Sequence, residues 1–223
     1  MINITKPYKD DMIIPFFVQK TESEEINIDV YEPFYDIAAE FENRFLGEWF
    51  SDKALRYVDE SLHPELEKSG YYRENPFNEW YAVYKLFSYG DMPQTPNIAV
   101  TDISRASYDI DETTFEADLI RESGQKASVI VVDGKIASIC AENFFDDDCE
   151  KEIELAVETV PEFRKMGFAK AVLCDMSRRV LKMGKFPTYR TSRFNTASVS
   201  CAESAGFRLI GKEYYYNCYK GEE

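Results

Sequence analysis

The order of elements predicts an α+β protein. Helices come first, then a hairpin, then strands and helices in alternation. Three observations carry this. Apolar residues recur at three- and four-residue steps from Phe34 to Trp49. After Pro96 that period gives way to β-branched runs on either side of Asp133-Gly134, a strong two-residue turn. From Glu152 a strand, a tight turn and an amphipathic helix follow one another directly. The chain is accordingly divided into a helix-rich N-terminal region, residues 1–95, and a core, residues 96–223.

Residues 1–28 show no clear period. Pro33 opens a helix whose stripe is Phe34, Ile37, Ala38, Phe41, Phe45 and Trp49. Ser51 and Asp52 cap a second helix bearing Leu55, Val58 and Leu62. The aromatic cluster from Phe77 to Phe87 reads as helix core, ended by Gly90 and broken by Pro93 and Pro96. Asn97–Ile103 is strand-like, and Phe115–Arg121 alternates weakly. Ala127–Val132 and Ile136–Ala141 form the hairpin, and Phe144–Glu150 is an acidic, solvated loop without calcium-loop spacing. Glu152–Val160 alternates, with Ile153, Leu155 and Val157 on one face. A helix from Gly167 to about Met183 carries Phe168, Val172, Met176 and Val180 on one side, with Lys170, Ser177, Arg178 and Lys182 outside. A strand at Pro187–Thr191, a helix at Asn195–Ser204 and a strand region at Phe207–Tyr219 complete the chain.

Composition removes whole classes of function. Apolar residues at 44% and charged residues at 30% exclude a disordered or collagen-like chain. A net charge of -15 argues against nucleic acid and anionic membranes as partners. The charge is unevenly placed. Residues 1–150 hold 13 basic and 32 acidic side chains, or -19, whereas residues 151–223 hold 13 and 9, or +4. Cys140, Cys149, Cys174, Cys201 and Cys218 are odd in number and show no CxxC spacing. They read as free thiols of a cytoplasmic protein. Neither a membrane-length apolar run nor an N-terminal signal pattern is present. A His-based metal site is excluded because His63 is the only histidine, so no metal is expected.

The chemistry concentrates where the strand Ile153–Val160 passes through Pro161-Glu162-Phe163 into Arg164-Lys165-Met166-Gly167-Phe168-Ala169. The first N–H groups of a helix have no intrahelical partner and lie at its positive end, which makes an anion site. Gly167 allows close backbone approach, Ala169 is small, and Arg164 and Lys165 add charge. No G-x-G-x-x-G follows a strand, so a dinucleotide-binding dehydrogenase does not fit.

The segment Val157–Ala169, with the later Asn195…Ser198…Ala202-Glu203…Gly206-Phe207, resembles the GNAT superfamily of N-acetyltransferases, over about residues 127–219. The Glu158-Thr159 pair and Pro187 are similar to a subset that includes acetyltransferases of the zwittermicin-resistance type. The resemblance implies an α/β sandwich with a mixed, mostly antiparallel sheet flanked by helices. It implies acetyl-CoA as cofactor, with its phosphates on the backbone of Arg164, Lys165, Met166, Gly167, Phe168 and Ala169. Its pantetheine arm would pair along Val157, Glu158 and Thr159, with Asn195 and Ser198 bracing it. Direct transfer to a primary amine of a small, cationic molecule would follow, with Glu154 or Glu158 as base and Glu142 a further candidate. Ala202 stands where many members carry the tyrosine that protonates the leaving thiolate. Tyr214, Tyr215, Tyr216 and Tyr219 are the available substitutes, or water serves instead. The alternative is an acyl-CoA-binding module that senses or docks without turnover. A homodimer is left open.

Overall fold

The computed structural model describes residues 1–5, 12–73, 75–94, 98–109, 117–143 and 151–221. Among these are strands β1 (Ile2–Thr5), β2 (Met12–Lys20) and β3 (Ile26–Tyr31), then helices α1 (Tyr35–Arg44) and α2 (Asp52–Lys68). Next come β4 (Tyr71–Tyr72), β5 (Tyr81–Lys85), β6 (Thr101–Asp102), α3 (Ala117–Glu122), β7 (Ala127–Val132), β8 (Lys135–Glu142) and β9 (Glu152–Thr159). The chain ends with α4 (Phe168–Lys182), β10 (Phe186–Ser192), α5 (Thr196–Ser204) and β11 (Arg208–Lys220). The chain forms two compact units. The first is Met1–Ala82, Ser192–Phe194 and Ile210–Glu223; the second is Val83–Thr191 and Asn195–Leu209. The fold class is α+β, a mixed sheet flanked by helices. Antiparallel pairing dominates, while β1 with β3 and β9 with β10 run parallel.

In the first unit the strand order is β1-β3-β2-β11, with β4 beside β11. Alternate residues Phe16 and Val18, Ile28 and Val30, and Tyr214 and Tyr216 turn inward against Phe41 of α1 and Leu55, Val58 and Leu62 of α2. Pro15 has no N–H to give a ladder. The β2–β3 pairing starts only at Phe16, and the β2–β11 register shifts between Tyr216 and Cys218, so the proline falls at an irregularity. Ser51 caps α2 by accepting from the Ala54 amide at 3.2 Å.

Several sequence expectations are corrected here. Residues 1–31 hold three strands that showed no period. The stripe from Phe34 does not continue as helix, since α1 ends at Arg44; Phe45 and Trp49 are buried from the loop that follows. The cluster Phe77–Phe87 is not helical: Tyr81–Lys85 is a strand in which Ala82 and Tyr84 point inward. His63 lies within α2, half exposed and 3.7 Å from Glu67.

In the second unit the order is β10-β9-β8-β7-β6. The expected hairpin is β7–β8, turning through Asp133 and Gly134 at φ 50° and 80°. Two left-handed residues in succession are the requirement of a type I′ turn. The reading Asn97–Ile103 begins outside the described residues; among residues 98–103 only Thr101 and Asp102 are strand, and Ala117–Glu122 is a short helix where weak alternation was read. The acidic loop Phe144–Glu150, with Cys149, lies outside the described residues. Helix α4 buries Val172, Met176 and Val180 as expected, but also Ala171, Leu173, Cys174 and Ser177. Ser177 was placed on the outer face; the buried stripe is wider than four positions because α4 packs across three strands, β7, β8 and β9.

Candidate active site

The site begins with a ladder that stops early. β9 and β10 pair in parallel only through Phe186–Glu152, Pro187–Ile153 and Thr188–Glu154. β9 continues to Thr159 and β10 to Ser192, so the strands part beyond that point. The closed end is well tied. Lys85 meets Glu152 at 2.6 Å, the Leu86 amide donates to the Pro187 carbonyl at 3.1 Å, and the Phe186 amide donates to Lys151 at 2.8 Å. Where the ladder ends, Arg190 pairs with Glu154 at 3.3 Å.

On its other side β9 stays paired with β8, from Leu155–Glu142 to Thr159–Ser138. The Asn143 amide donates to Glu154 and the Val160 amide donates to Ala137, which fixes the alternation of the antiparallel ladder. Residues 154, 156, 158 and 160 turn their backbone groups toward β8, and 155, 157 and 159 turn theirs toward the opening. The Leu155 carbonyl and both backbone groups of Val157 therefore face the side from which β10 has departed. The third carbonyl, that of Thr159, accepts from Arg164 Nε at 3.2 Å.

The opening leads along β9 to the turn before α4. Lys165 (φ 64°) and Gly167 (φ 82°) are left-handed. Gly167 followed by helical Phe168 is a left–right backbone pair of the kind that turns successive N–H groups toward one concave side. No side chain caps α4, and the first helical bond here runs from the Ala171 amide to Gly167. The amides of Phe168, Ala169 and Lys170 are thus the unpaired donors of a helix start. Arg164, Lys165, Met166 and Gly167 are exposed, and Phe163 stacks with Phe168 at 6.2 Å beneath the turn.

The two carboxylates suggested as bases share a face of β9 but differ in state. Asn143 Nδ2 donates to Glu154 Oε1 at 2.8 Å, Arg190 holds Oε2, and the side chain is only 12% exposed. Such a carboxylate is fixed in an ion pair. Glu158 is exposed; burial of its carboxyl raises its pKa above the ordinary value, and Arg164 opposes the rise. That combination suits a proton acceptor better. Glu142 is half-buried at the end of β8. The α4 side of the sheet is marked by Ser128, which donates to Asp175 of α4 at 2.7 Å and stands in line with Cys140 and Val157. Glu154 and Glu158 alternate with Val157 and so face away from α4.

Asn195 and Ser198 belong to the start of α5, after β10. Asn195 Oδ1 accepts from the Ser198 amide at 3.1 Å, so its side chain caps α5. Ser198 Oγ shares a 2.6 Å hydrogen bond with Tyr189 OH. The sequence reading passed over Tyr189 and Arg190, both on β10. Their signal was the alternation of Thr188, Tyr189 and Arg190 in a strand too short to weigh. Burial pushes the Tyr189 hydroxyl up to about 12, which makes it a weak acid. Of the four tyrosines considered, Tyr214 and Tyr216 are fully buried in the first unit, and burial raises both hydroxyls. Tyr215 donates to Glu213 at 2.6 Å. Among the described residues no cluster of three His, Cys, Asp or Glu side chains is arranged to hold a metal.

Residues 124–219 match the family model described as GNAT acetyltransferase. This stretch, 96 of the chain's 223 residues, is similar to the GNAT acetyltransferases, enzymes of the acyltransferase class. The fold is also that of a GNAT-family protein from Novosphingobium aromaticivorans, with a TM-score of 0.50 at 16% identity over 69% of each chain. A GNAT-family acetyltransferase from Colwellia psychrerythraea is 14% identical over 72% of this chain and 62% of its own, with a TM-score of 0.47. A GCN5-related N-acetyltransferase-like protein from Streptococcus suis is 19% identical over 70% and 67%, with a TM-score of 0.45. No protein of established function matches the sequence significantly. No helix among the described residues is long and apolar enough to cross a membrane.

Proposed function

We propose that the GNAT domain binds acetyl-CoA and that the chain transfers the acetyl group directly to a primary amine of a small, cationic molecule. One observation carries the reading: the parting of β9 from β10 beyond Glu154 and Thr188 leads to the left-handed turn at Lys165 and Gly167. An open strand edge suits the amide groups of a pantetheine arm, and an uncapped helix start beside Arg164 and Lys165 suits its phosphates. When bound, acetyl-CoA supplies an activated thioester.

The residues divide the remaining work. Leu155 and Val157 offer the backbone groups that hold an extended arm, and the Val157 N–H is placed to stabilise negative charge on a carbonyl oxygen. Glu158 takes the proton of the acceptor ammonium, directly or through water. Glu154 holds β9 and β10 through Arg190 at the point where they part. With Ala202 in place of a tyrosine, and Tyr189 a weak acid, water returns the proton to the leaving thiolate. The chain's net charge of -15 favours cations over anions as acceptors. Motifs of the zwittermicin-resistance type, a cytoplasmic setting for the free thiols and a possible homodimer belong to the same proposal.

The test has two parts. Calorimetry with acetyl-CoA should give a single site that Gly167→Glu removes. Release of free thiol from acetyl-CoA, followed with a panel of amines, should then show turnover. Binding without turnover on any amine would leave a sensor or docking module as the role.

A further inference from the structure

The first unit contains a cleft of about 850 Å³, within the size range of small-molecule sites. Its lining combines the apolar side chains of Ile26, Leu46, Trp49 and Phe50 with the cations of Lys20 and Lys212. We propose that this cleft binds a small anion, a carboxylate or phosphate group on an apolar or aromatic body, with Lys212 and Lys20 as its cationic partners. The inference does not depend on the acetyl-CoA reading, because the cleft belongs wholly to the first unit.

Lys212 and Lys20 are direct cross-strand partners in the β11–β2 ladder. Like charges placed opposite one another destabilise a sheet. The arrangement is tight, because a Cβ on the neighbouring Gly211 would sit 2.5 Å from the Lys20 carbonyl oxygen. A third cation is close: Arg193 and Lys212 lie over the same Trp80 ring, at 5.8 and 4.5 Å from its centroid. The Lys212 ammonium is also 6.0 Å from the Phe50 ring.

The neutralising groups are already engaged. Glu24 is the salt-bridge partner of Lys20, and Asp52 meets Arg193 at 3.1 Å. The N-terminal ammonium donates to the Ile26 carbonyl at 2.9 Å and meets Glu42 at 3.5 Å. Glu48 is the remaining carboxylate of the lining and is exposed on the α1–α2 loop. Lys212 makes no direct salt bridge among the described residues, and Glu24 acts on it only at longer range. The first unit holds 11 basic and 21 acidic side chains, so a lysine without a direct carboxylate partner is unexpected there. Partial burial, then Lys20 and Arg193, lower the Lys212 pKa, and the Glu24 carboxylate only partly opposes them. An anion entering the cleft supplies a direct counterion, and the Phe50 and Trp49 rings cover an apolar body.

The chain's two tryptophans, Trp49 and Trp80, line this cleft or lie under Lys212, so intrinsic tryptophan fluorescence reports on it directly. The full chain is titrated with phenyl phosphate, benzoate, inorganic phosphate and benzyl alcohol. Expected is a saturable change with phenyl phosphate or benzoate, weaker binding of inorganic phosphate and none of benzyl alcohol. The tighter of the two aromatic anions identifies the natural head group. Lys212→Met should weaken binding about tenfold or more, the scale of a charge-assisted hydrogen bond, and Lys212→Arg should retain most of it. Lys20→Met, at the other cation of the cleft, repeats the test if Lys212→Met does not fold. The proposal is overturned if neither aromatic anion gives a saturable change, if benzyl alcohol binds equally well, or if folded Lys212→Met and Lys20→Met bind as the parent does.

Discussion

Substitution at Gly167 separates backbone strain from electrostatics at the start of α4. A Cβ built there meets only Ile98 Cδ1, at 4.0 Å, so space is not the obstacle. The obstacle is φ of 82°, where an L-residue costs about 1–2 kcal/mol. Gly167→Ala should therefore lower the melting temperature by about 2–8 °C for a chain of this size, with CoA affinity reduced only if the turn relaxes. Gly167→Glu carries the same strain and adds a negative charge beside the unpaired amides of Phe168, Ala169 and Lys170. A carboxylate about 4 Å from a phosphate costs about 1–4 kcal/mol between bulk-water and surface dielectric, or about 5- to 1000-fold in Kd. Gly167→Gln, of the same length but uncharged, should bind like the alanine variant. Calorimetry with CoA, alongside thermal unfolding of all three variants, measures both effects. If Gly167→Glu binds CoA within twofold of Gly167→Gln while all remain folded, no phosphate sits at this turn and the reasoning fails.

Further outcomes follow from the same geometry. Glu158→Gln should lower turnover about 100-fold with little change in CoA affinity, and near-normal rates across pH would move the base elsewhere. Glu154→Gln should instead cost about 1–3 kcal/mol of stability, because it removes the charge from a partly buried ion pair with Arg190; an unchanged unfolding midpoint would contradict this. Because Arg164 holds the Glu158 pKa down against burial, Arg164→Met should move the acid limb of the kcat profile to higher pH; a limb that stays put or moves down would separate Arg164 from Glu158. The sign follows from the base acting only when ionised, so activity is lost as pH falls through its pKa. A cationic amine should show a higher kcat/KM than a matched anionic one, and the difference should shrink with salt; equal salt response would return the charge of -15 to solubility.

What could be read from the sequence was local. The Asp133-Gly134 turn was legible because its left-handed φ values select those residues wherever they occur. The strand, turn and helix from Glu152 to Lys182 were legible because period and caps change within a few residues. Glu154 and Glu158 of β9 were visible as a pair, but their difference was not. It depends on Asn143 and Arg190, which come from other parts of the chain. Asn195 and Ser198 were visible as a motif, whereas their hydrogen bonds close α5 upon itself and onto Tyr189.

The larger misreadings share one cause, which is pairing between distant segments. Met12–Lys20 contains a proline, which argues against an interior strand when judged alone. It is interior because β3 pairs with it beyond Pro15 and β11 bulges where the N–H is missing. Phe207–Tyr219 was read as a strand region, but not its partner: Tyr214, Tyr216 and Cys218 alternate into the core of the first unit, about 200 residues after the strand they pair with. Tyr214 accepts from Arg73 at 2.9 Å, and Arg73 also meets Asp59 at 3.1 Å, so the tail completes a buried polar cluster that neither segment implies by itself. The same long-range pairing sets Lys212 opposite Lys20. Aromatic spacing failed at Phe77–Phe87 for a related reason. With 15 Tyr and 16 Phe in the chain, three-residue coincidences are common, and the burial of Ala82 and Tyr84 on alternate positions is decided by the neighbours of β5 rather than by its own sequence.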